Sequence, residues 1–179
     1  MKKIRLGKTG LKVTKIGFGG IPIQTPPEET AIRIVQESLD LGINFIDTSR
    51  MYTCSEERIG KAIAGRREDL VIATKSASRT GEAVAADLET SLKNLRTGYI
   101  DLYQFHNVSS EENLQAVLAP GGPYEVVRKA RDAGKVRHIG ITSHRLSVAK
   151  ESLLTDCFET VMVGLNFVNT EAAEELLPL

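Results

Sequence analysis

Residues 16–30 read Ile16-Gly17-Phe18-Gly19-Gly20-Ile21-Pro22-Ile23-Gln24-Thr25-Pro26-Pro27-Glu28-Glu29-Thr30, and the fold turns on how these glycines relate to the helix that follows. An apolar strand end runs into glycines, as where a backbone must turn tightly or be approached closely. A helical period starts at Glu28, with Ala31, Ile32, Val35 and Leu39 on one stripe and Gly42 as its stop. In an open doubly wound sheet, a glycine-rich loop joins strand and helix directly, so that the helix N-terminus can hold a phosphate. Gly17-Phe18-Gly19-Gly20 has the composition for that role, but Pro22, Pro26 and Pro27 stand between it and the helix. These glycines cannot open that helix. The doubly wound reading fails, and a (β/α) barrel remains.

Working outward, residues 4–6 and 12–16 flank Gly7-Lys8-Thr9-Gly10, a pattern that predicts a hairpin. Downstream the chain alternates. Strands are predicted at 43–47, 70–74, 99–105, 136–141 and 160–163, and helices at 28–41, at 82–95, at 124–133 before Gly134, and at 146–154. Thr53 and Glu56 read as a capping box for a helix running to Ala64 and stopped by Gly65, and a last helix is predicted at 171–177. Residues 107–123 read as one long connection, and Arg66-Arg67-Glu68-Asp69 as a solvated loop. Strands alternating with helices demand parallel pairing, and strands apolar on both faces (Leu70-Val-Ile-Ala-Thr74) fit a covered sheet. The predicted class is α/β, of (β/α)8 TIM-barrel type. It is incomplete, with about six parallel strands where a closed barrel wants eight in about 250 residues. We expect one partial barrel over 1–179, with the hairpin in 1–15 and βα units in 16–179.

Bulk properties narrow the function. The 179 residues carry 23 Lys and Arg against 23 Asp and Glu, a formal net charge of zero, which gives no reason to expect nucleic acid or an anionic membrane as partner. The two cysteines, Cys54 and Cys157, have neither disulfide-framework nor zinc-ligand spacing, so no metal is expected. The N-terminus is basic without a continuous apolar core, and no apolar run approaches a membrane span. The expected setting is the reducing cytoplasm.

The chemistry lies at strand ends. In a barrel the carboxyl ends of the strands converge on one mouth, where the sequence puts Asp47, Lys75, His106 and the pair Thr142-Ser143. Tyr52 lies five residues past Asp47, on the adjoining loop. A hydride arriving at a carbonyl carbon leaves an alkoxide, which must be protonated or held by positive charge. A tyrosine hydroxyl is a weak acid of pKa about 10. A nearby ammonium would bring it down, a carboxylate would keep that ammonium charged, and a histidine could orient the carbonyl.

These residues carry a resemblance to the aldo-keto reductase family. GINFIDTSRMYTCSEERIGKAI (42–63) resembles the signature in which an aspartate precedes the catalytic tyrosine by five positions. ATKS (73–76) resembles the strand ending in the catalytic lysine, and YIDLYQFHN (99–107) the strand ending in the active-site histidine. KVRHIGITSHR (135–145) is similar to the segment whose small polar residues hold the nicotinamide carboxamide, and RLGKTGLKVTKIGFGG (5–20) to the N-terminal hairpin and first barrel strand. The resemblance implies Tyr52 as general acid, assisted by Lys75, Asp47 and His106. It implies that Gly19, Gly20, Asp47, Thr142 and Ser143 meet the cofactor, NADP(H) before NAD(H), and that the substrate is a small aldehyde or ketone. It also implies that the aromatic residue stacking on nicotinamide and the basic loop for the 2′-phosphate lie beyond residue 179.

Other polar residues have plainer expected roles. Tyr99 and Tyr103 are packing residues, Asp101 anchors backbone or pairs with a cation, His138 is structural, and Cys54 is a small loop residue. Two other outcomes are retained: a reductase-like binding or regulatory subunit, and an inactive truncated fragment that self-associates through open barrel edges.

Overall fold

A computed structural model describes residues 1–177. β1 (Lys3–Arg5) and β2 (Lys12–Thr14) pair antiparallel with Ile4 opposite Val13, joined through a 3-10 turn at Gly7–Thr9. The hairpin is tied to the main sheet by Asn44. Its Oδ1 accepts from the Thr14 amide at 2.7 Å, and its Nδ2 donates to the Lys12 carbonyl at 2.9 Å. Asn44 immediately precedes β4 (Phe45–Asp47), so the hairpin sits at the end where strands begin and leaves the opposite mouth free.

The main sheet is parallel and follows chain order: β3 (Phe18–Gly19), β4, β5 (Val71–Ser76), β6 (Ile100–Phe105), β7 (Val136–Thr142) and β8 (Thr160–Met162). It curls into part of a barrel. The helices are α1 (Glu28–Asp40), α2 (Ser55–Ala62), α3 (Gly81–Asn94), α4 (Glu111–Leu118), α5 (Pro123–Asp132), α6 (Leu146–Leu154) and α7 (Glu171–Glu175). One core joins Ile46, Ile72, Tyr103 and Ile139 of the sheet to Val35, Ile59, Val84 and Val127 of the helices. Gly60 lets α2 lie against the end of α3, because a Cβ there would collide with the Asn94 carbonyl and the Leu95 backbone. Among the described residues no helix is long and apolar enough to cross a membrane.

Three sequence expectations need correction. Residues 107–123 are not one connection: they hold α4, whose Ser110 caps the helix by accepting from the Asn113 amide at 3.2 Å. Eight residues with only Leu114 and Val117 buried give too short a period to stand out. The Thr53–Glu56 capping box does not form either. α2 starts at Ser55 without a side-chain cap, and Thr53 donates to the Gln24 side chain instead. Glu56 is wholly buried and accepts from Arg50, Thr74, Ser91 and Asn94. A carboxylate that finds a half-buried cation and two buried hydroxyls has stronger partners than a cap amide.

The third correction concerns Arg67, which is no solvated loop residue. Its guanidinium lies 4.0 Å from the Tyr99 ring centre and donates to Asp101 Oδ2 at 2.7 Å. Arg137 stacks on the other side at 3.9 Å and donates to Asp101 Oδ1 at 2.9 Å. Asp101 also takes the Ile72 amide at 2.9 Å, which joins β5 to β6 at their beginnings. Asp101 is buried, so Asp101→Ala leaves two guanidinium groups short of their counter-ion. Breaking such a pair costs about 3–5 kcal/mol, or a fall of roughly 10 °C in melting temperature for a chain this size. Thermal unfolding followed by circular dichroism checks this, and a fall of only a degree or two would make the cluster surface decoration.

Candidate active site

Alternation along three neighbouring strands builds the mouth. On β5, Thr74 turns outward to Glu56 of α2, so Lys75 turns into the barrel. On β6, Tyr103 and Phe105 join the apolar layer under the helices, so Gln104 turns inward. Register pairs Lys75 with Gln104, and Asp47 with Ala73 one strand over. The two inward side chains therefore converge on Asp47. Lys75 Nζ donates to Asp47 Oδ1 at 2.5 Å and to the Thr48 carbonyl at 2.7 Å, while Gln104 Nε2 donates to Asp47 Oδ2 at 3.1 Å. Lys75 is 2% exposed, a depth no ammonium tolerates without such partners.

Tyr52 and His106 face this pair from the rim. Lys75 Nζ lies 5.2 Å from the Tyr52 ring centre, and the Tyr52 and His106 rings meet edge to face at 5.7 Å. Ser49 Oγ lies 2.9 Å from His106 Nδ1. Burial is the main influence lowering the His106 pKa, to about 4, with Lys75, His144 and Arg79 adding to it. The imidazole is therefore neutral near pH 7. Burial raises the Asp47 pKa, against the opposing pull of Lys75 and Gln104. Tyr52 differs from expectation: burial first, then the Asp47 carboxylate, hold its hydroxyl above the ordinary value. The ammonium expected to lower it is engaged by Asp47 and the Thr48 carbonyl.

Asp47, Tyr52, Lys75, His106, Thr142 and Ser143 line one cavity of about 510 Å³, together with His144 and residues 162–164. A second cavity of about 490 Å³ adjoins it along Ser143, His144, Val163 and Gly164, and brings in Arg145 and Lys150. Thr142 Oγ1 accepts from the Asn107 amide at 2.8 Å, and Ser143 Oγ bonds the backbone of Arg145. Of the two glycines, Gly19 has open space where a side chain would stand. Gly20 is filled from within, since a Cβ would lie 2.5 Å from Ser55 Oγ. His138 lies away from the mouth, bound to Glu159 at 2.7 Å. No cluster of three or more His, Cys, Asp or Glu suited to a metal occurs among the described residues.

Sequence reasoning missed Gln104, Ser49 and Arg79. Gln104 was legible: it shares a period-two face with His106, and it is an amide inside an otherwise buried strand. Ser49 and Arg79 lie on loops, where no periodicity announces them.

A curled parallel sheet with an aspartate, lysine and histidine at successive strand ends and a tyrosine on the intervening loop defines the mouth of a partial (β/α) barrel. The profile of the Aldo/keto reductase family matches residues 15–179, and the chain belongs to that family. It is 31% identical to the "Uncharacterized oxidoreductase YqkF" of Bacillus subtilis, over all of this chain and 60% of that protein. It is 33% identical to L-galactose dehydrogenase of Arabidopsis thaliana, over 97% of this chain and 59% of that one. The holo form of aldo-keto reductase AKR11C1 from Bacillus halodurans superposes with a TM-score of 0.87 at 31% identity, covering 97% of this chain and 61% of that one. The chain thus spans about three fifths of these relatives' length.

Proposed function

We propose that this chain supplies the catalytic part of an NAD(P)H-dependent enzyme that reduces an aldehyde or ketone to an alcohol. The observation that carries the reading is the convergence of Tyr52, Lys75, Asp47 and His106 on one cavity, with Lys75 held on Asp47 and the two rings in edge-to-face contact. The residues present suit a nicotinamide cofactor: Gly19 leaves open backbone at the mouth, and the adjoining cavity carries Arg145 and Lys150 to face phosphates. Asp47, Thr142 and Ser143 would hold the nicotinamide end. Gly20 would contribute backbone, its lack of a side chain being accounted for by Ser55. We favour NADP(H) over NAD(H) by family resemblance.

When bound, the cofactor supplies hydride to the carbonyl carbon. Tyr52 supplies the proton to the carbonyl oxygen, its hydroxyl being protonated at neutral pH. Lys75 places positive charge beside the ring on which negative charge then develops. Asp47 keeps that ammonium in place. Ser49 Oγ engages His106 Nδ1 at 2.9 Å, which fixes the ring and leaves Nε2 to orient the carbonyl.

Testing this requires a complete barrel, made by joining residues 1–179 to the part of YqkF outside the match. The fusion should consume NADPH with a generic aldehyde. Tight NADPH binding without consumption would favour the binding-subunit reading instead.

Residues 1–179 alone should bind NADPH poorly and self-associate. Among the described residues β3 and β8 each pair on one side only. Met162, Leu165, Phe167 and Val168 are exposed on and beyond β8, Phe167 at 96%. Open edges and contiguous apolar surface favour association. Sedimentation with parallel calorimetry checks both expectations, and a monomer binding NADPH in the micromolar range would contradict them.

A further inference from the structure

Arg79, in the loop between β5 and α3, has no carboxylate within ion-pair distance among the described residues. Its donors go to oxygens of three segments. Nη2 donates to the His106 and Asn107 carbonyls at 2.7 and 3.0 Å. Nη1 donates to the Ala77 and Ser78 carbonyls at 2.8 and 3.3 Å, and Nε to Asn113 Oδ1 of α4 at 3.4 Å. Burial lowers its pKa, the mark of a cation drawn partly out of water without a counter-ion.

The turn it grips is tight. Asn107, next to His106, has φ +53°, in the left-handed region where asparagine is among the few non-glycine residues commonly found. The amides of this turn are fixed from the opposite side. His106 N donates to the Ser76 carbonyl, Asn107 N to Thr142 Oγ1 and Val108 N to the Thr142 carbonyl, each at 2.8 Å. The carbonyls of His106 and Asn107 both take their hydrogen bonds from Arg79 Nη2, while Nη1 and Nε tie the same rigid guanidinium to residues 77–78 and Asn113, an anchorage on three segments that a lysine cannot reproduce.

We infer that Arg79 is the positioning residue for His106: it locks the left-handed turn that aims the imidazole into the cavity, and it sets an unneutralised positive charge beside the ring. The inference rests on the reading that His106 faces the substrate carbonyl. The charged and titratable groups facing His106 are Lys75 on β5, already paired with Asp47 of β4, Tyr52 on the loop after β4, His144 after β7, and Arg79. Burial and Lys75 are the larger influences holding the imidazole neutral, and Arg79 adds to them. Its loss should therefore move the histidine in a definite direction, by less than a full return to its ordinary value.

The test uses mass spectrometry on the 179-residue chain, which tolerates association. Amide hydrogen exchange reports the turn, and slow imidazole C2 hydrogen exchange against pH reports each of the three histidines. Arg79→Met should speed exchange at Asn107 and Val108 by about tenfold or more. It should also raise the His106 midpoint. Arg79→Lys keeps the charge and loses the anchorage, so it should speed the same amides while His106 stays below its midpoint in Arg79→Met. If Arg79→Met fails to fold, Arg79→Lys decides alone: faster amides with a low His106 midpoint support the inference, and unchanged amides overturn it. Unchanged amides in a folded Arg79→Met, or an unmoved His106 midpoint, overturn it too. Neither reading uses turnover, so an inactive enzyme would defeat the proposed function and leave this inference to its own result.

Discussion

Tyr52→Phe in the completed barrel is expected to abolish carbonyl reduction while leaving NADPH binding nearly intact. Phenylalanine keeps the ring, its edge-to-face contact with His106 and its place beside Lys75. It removes only the hydroxyl. General acid catalysis contributes roughly 10²–10⁴-fold, and the loss should fall on kcat because the proton moves only as charge develops on the oxygen. The raised Tyr52 pKa places the tyrosine's own limb of the wild-type pH–rate profile on the alkaline side. Steady-state kinetics with calorimetry would check it. A variant keeping more than about a tenth of normal turnover would remove Tyr52 from the proton path.

Lys75→Met should be at least as damaging, by a different route. Methionine fills the buried space but leaves Asp47 with Gln104 alone. The Asp47 pKa, already raised by burial, loses the ammonium that opposes the rise. Tyr52 loses the cation 5.2 Å from its ring, and with it the positive charge that balances the phenolate left when the proton moves. The rate should fall by roughly 10²-fold or more, with the loss on kcat. Preserved activity would reduce Lys75 to a strand residue that happens to be buried.

The sequence was legible where periodicity and composition dominate. Three prolines between Gly20 and Glu28 excluded the doubly wound sheet, and alternation of strands and helices gave six parallel strands in chain order, as found. The site was legible at strand ends, because barrel geometry brings Asp47, Lys75 and His106 to one mouth whatever the loops do. Loops and buried polar pairing were not. Glu56 three residues after Thr53 has capping-box spacing, yet Arg50, Thr74 and Ser91 draw its carboxylate into the interior. Arg67 sits in a run of four charged residues, yet Tyr99 and Asp101, more than thirty residues on, bury it. The expectation that Lys75 lowers the Tyr52 pKa had the right neighbours and the wrong balance. Asp47 both anchors the ammonium and opposes its effect on the phenol. These outcomes depend on three-dimensional partners that no local pattern encodes.

The most direct measurement supplies the completed barrel with NADPH carrying deuterium at its transferable position and a simple aldehyde, then weighs the alcohol formed. The account predicts product bearing one deuterium on the former carbonyl carbon, and none when Tyr52 is phenylalanine. A folded protein that binds NADPH yet returns the aldehyde undeuterated and unreduced would contradict it.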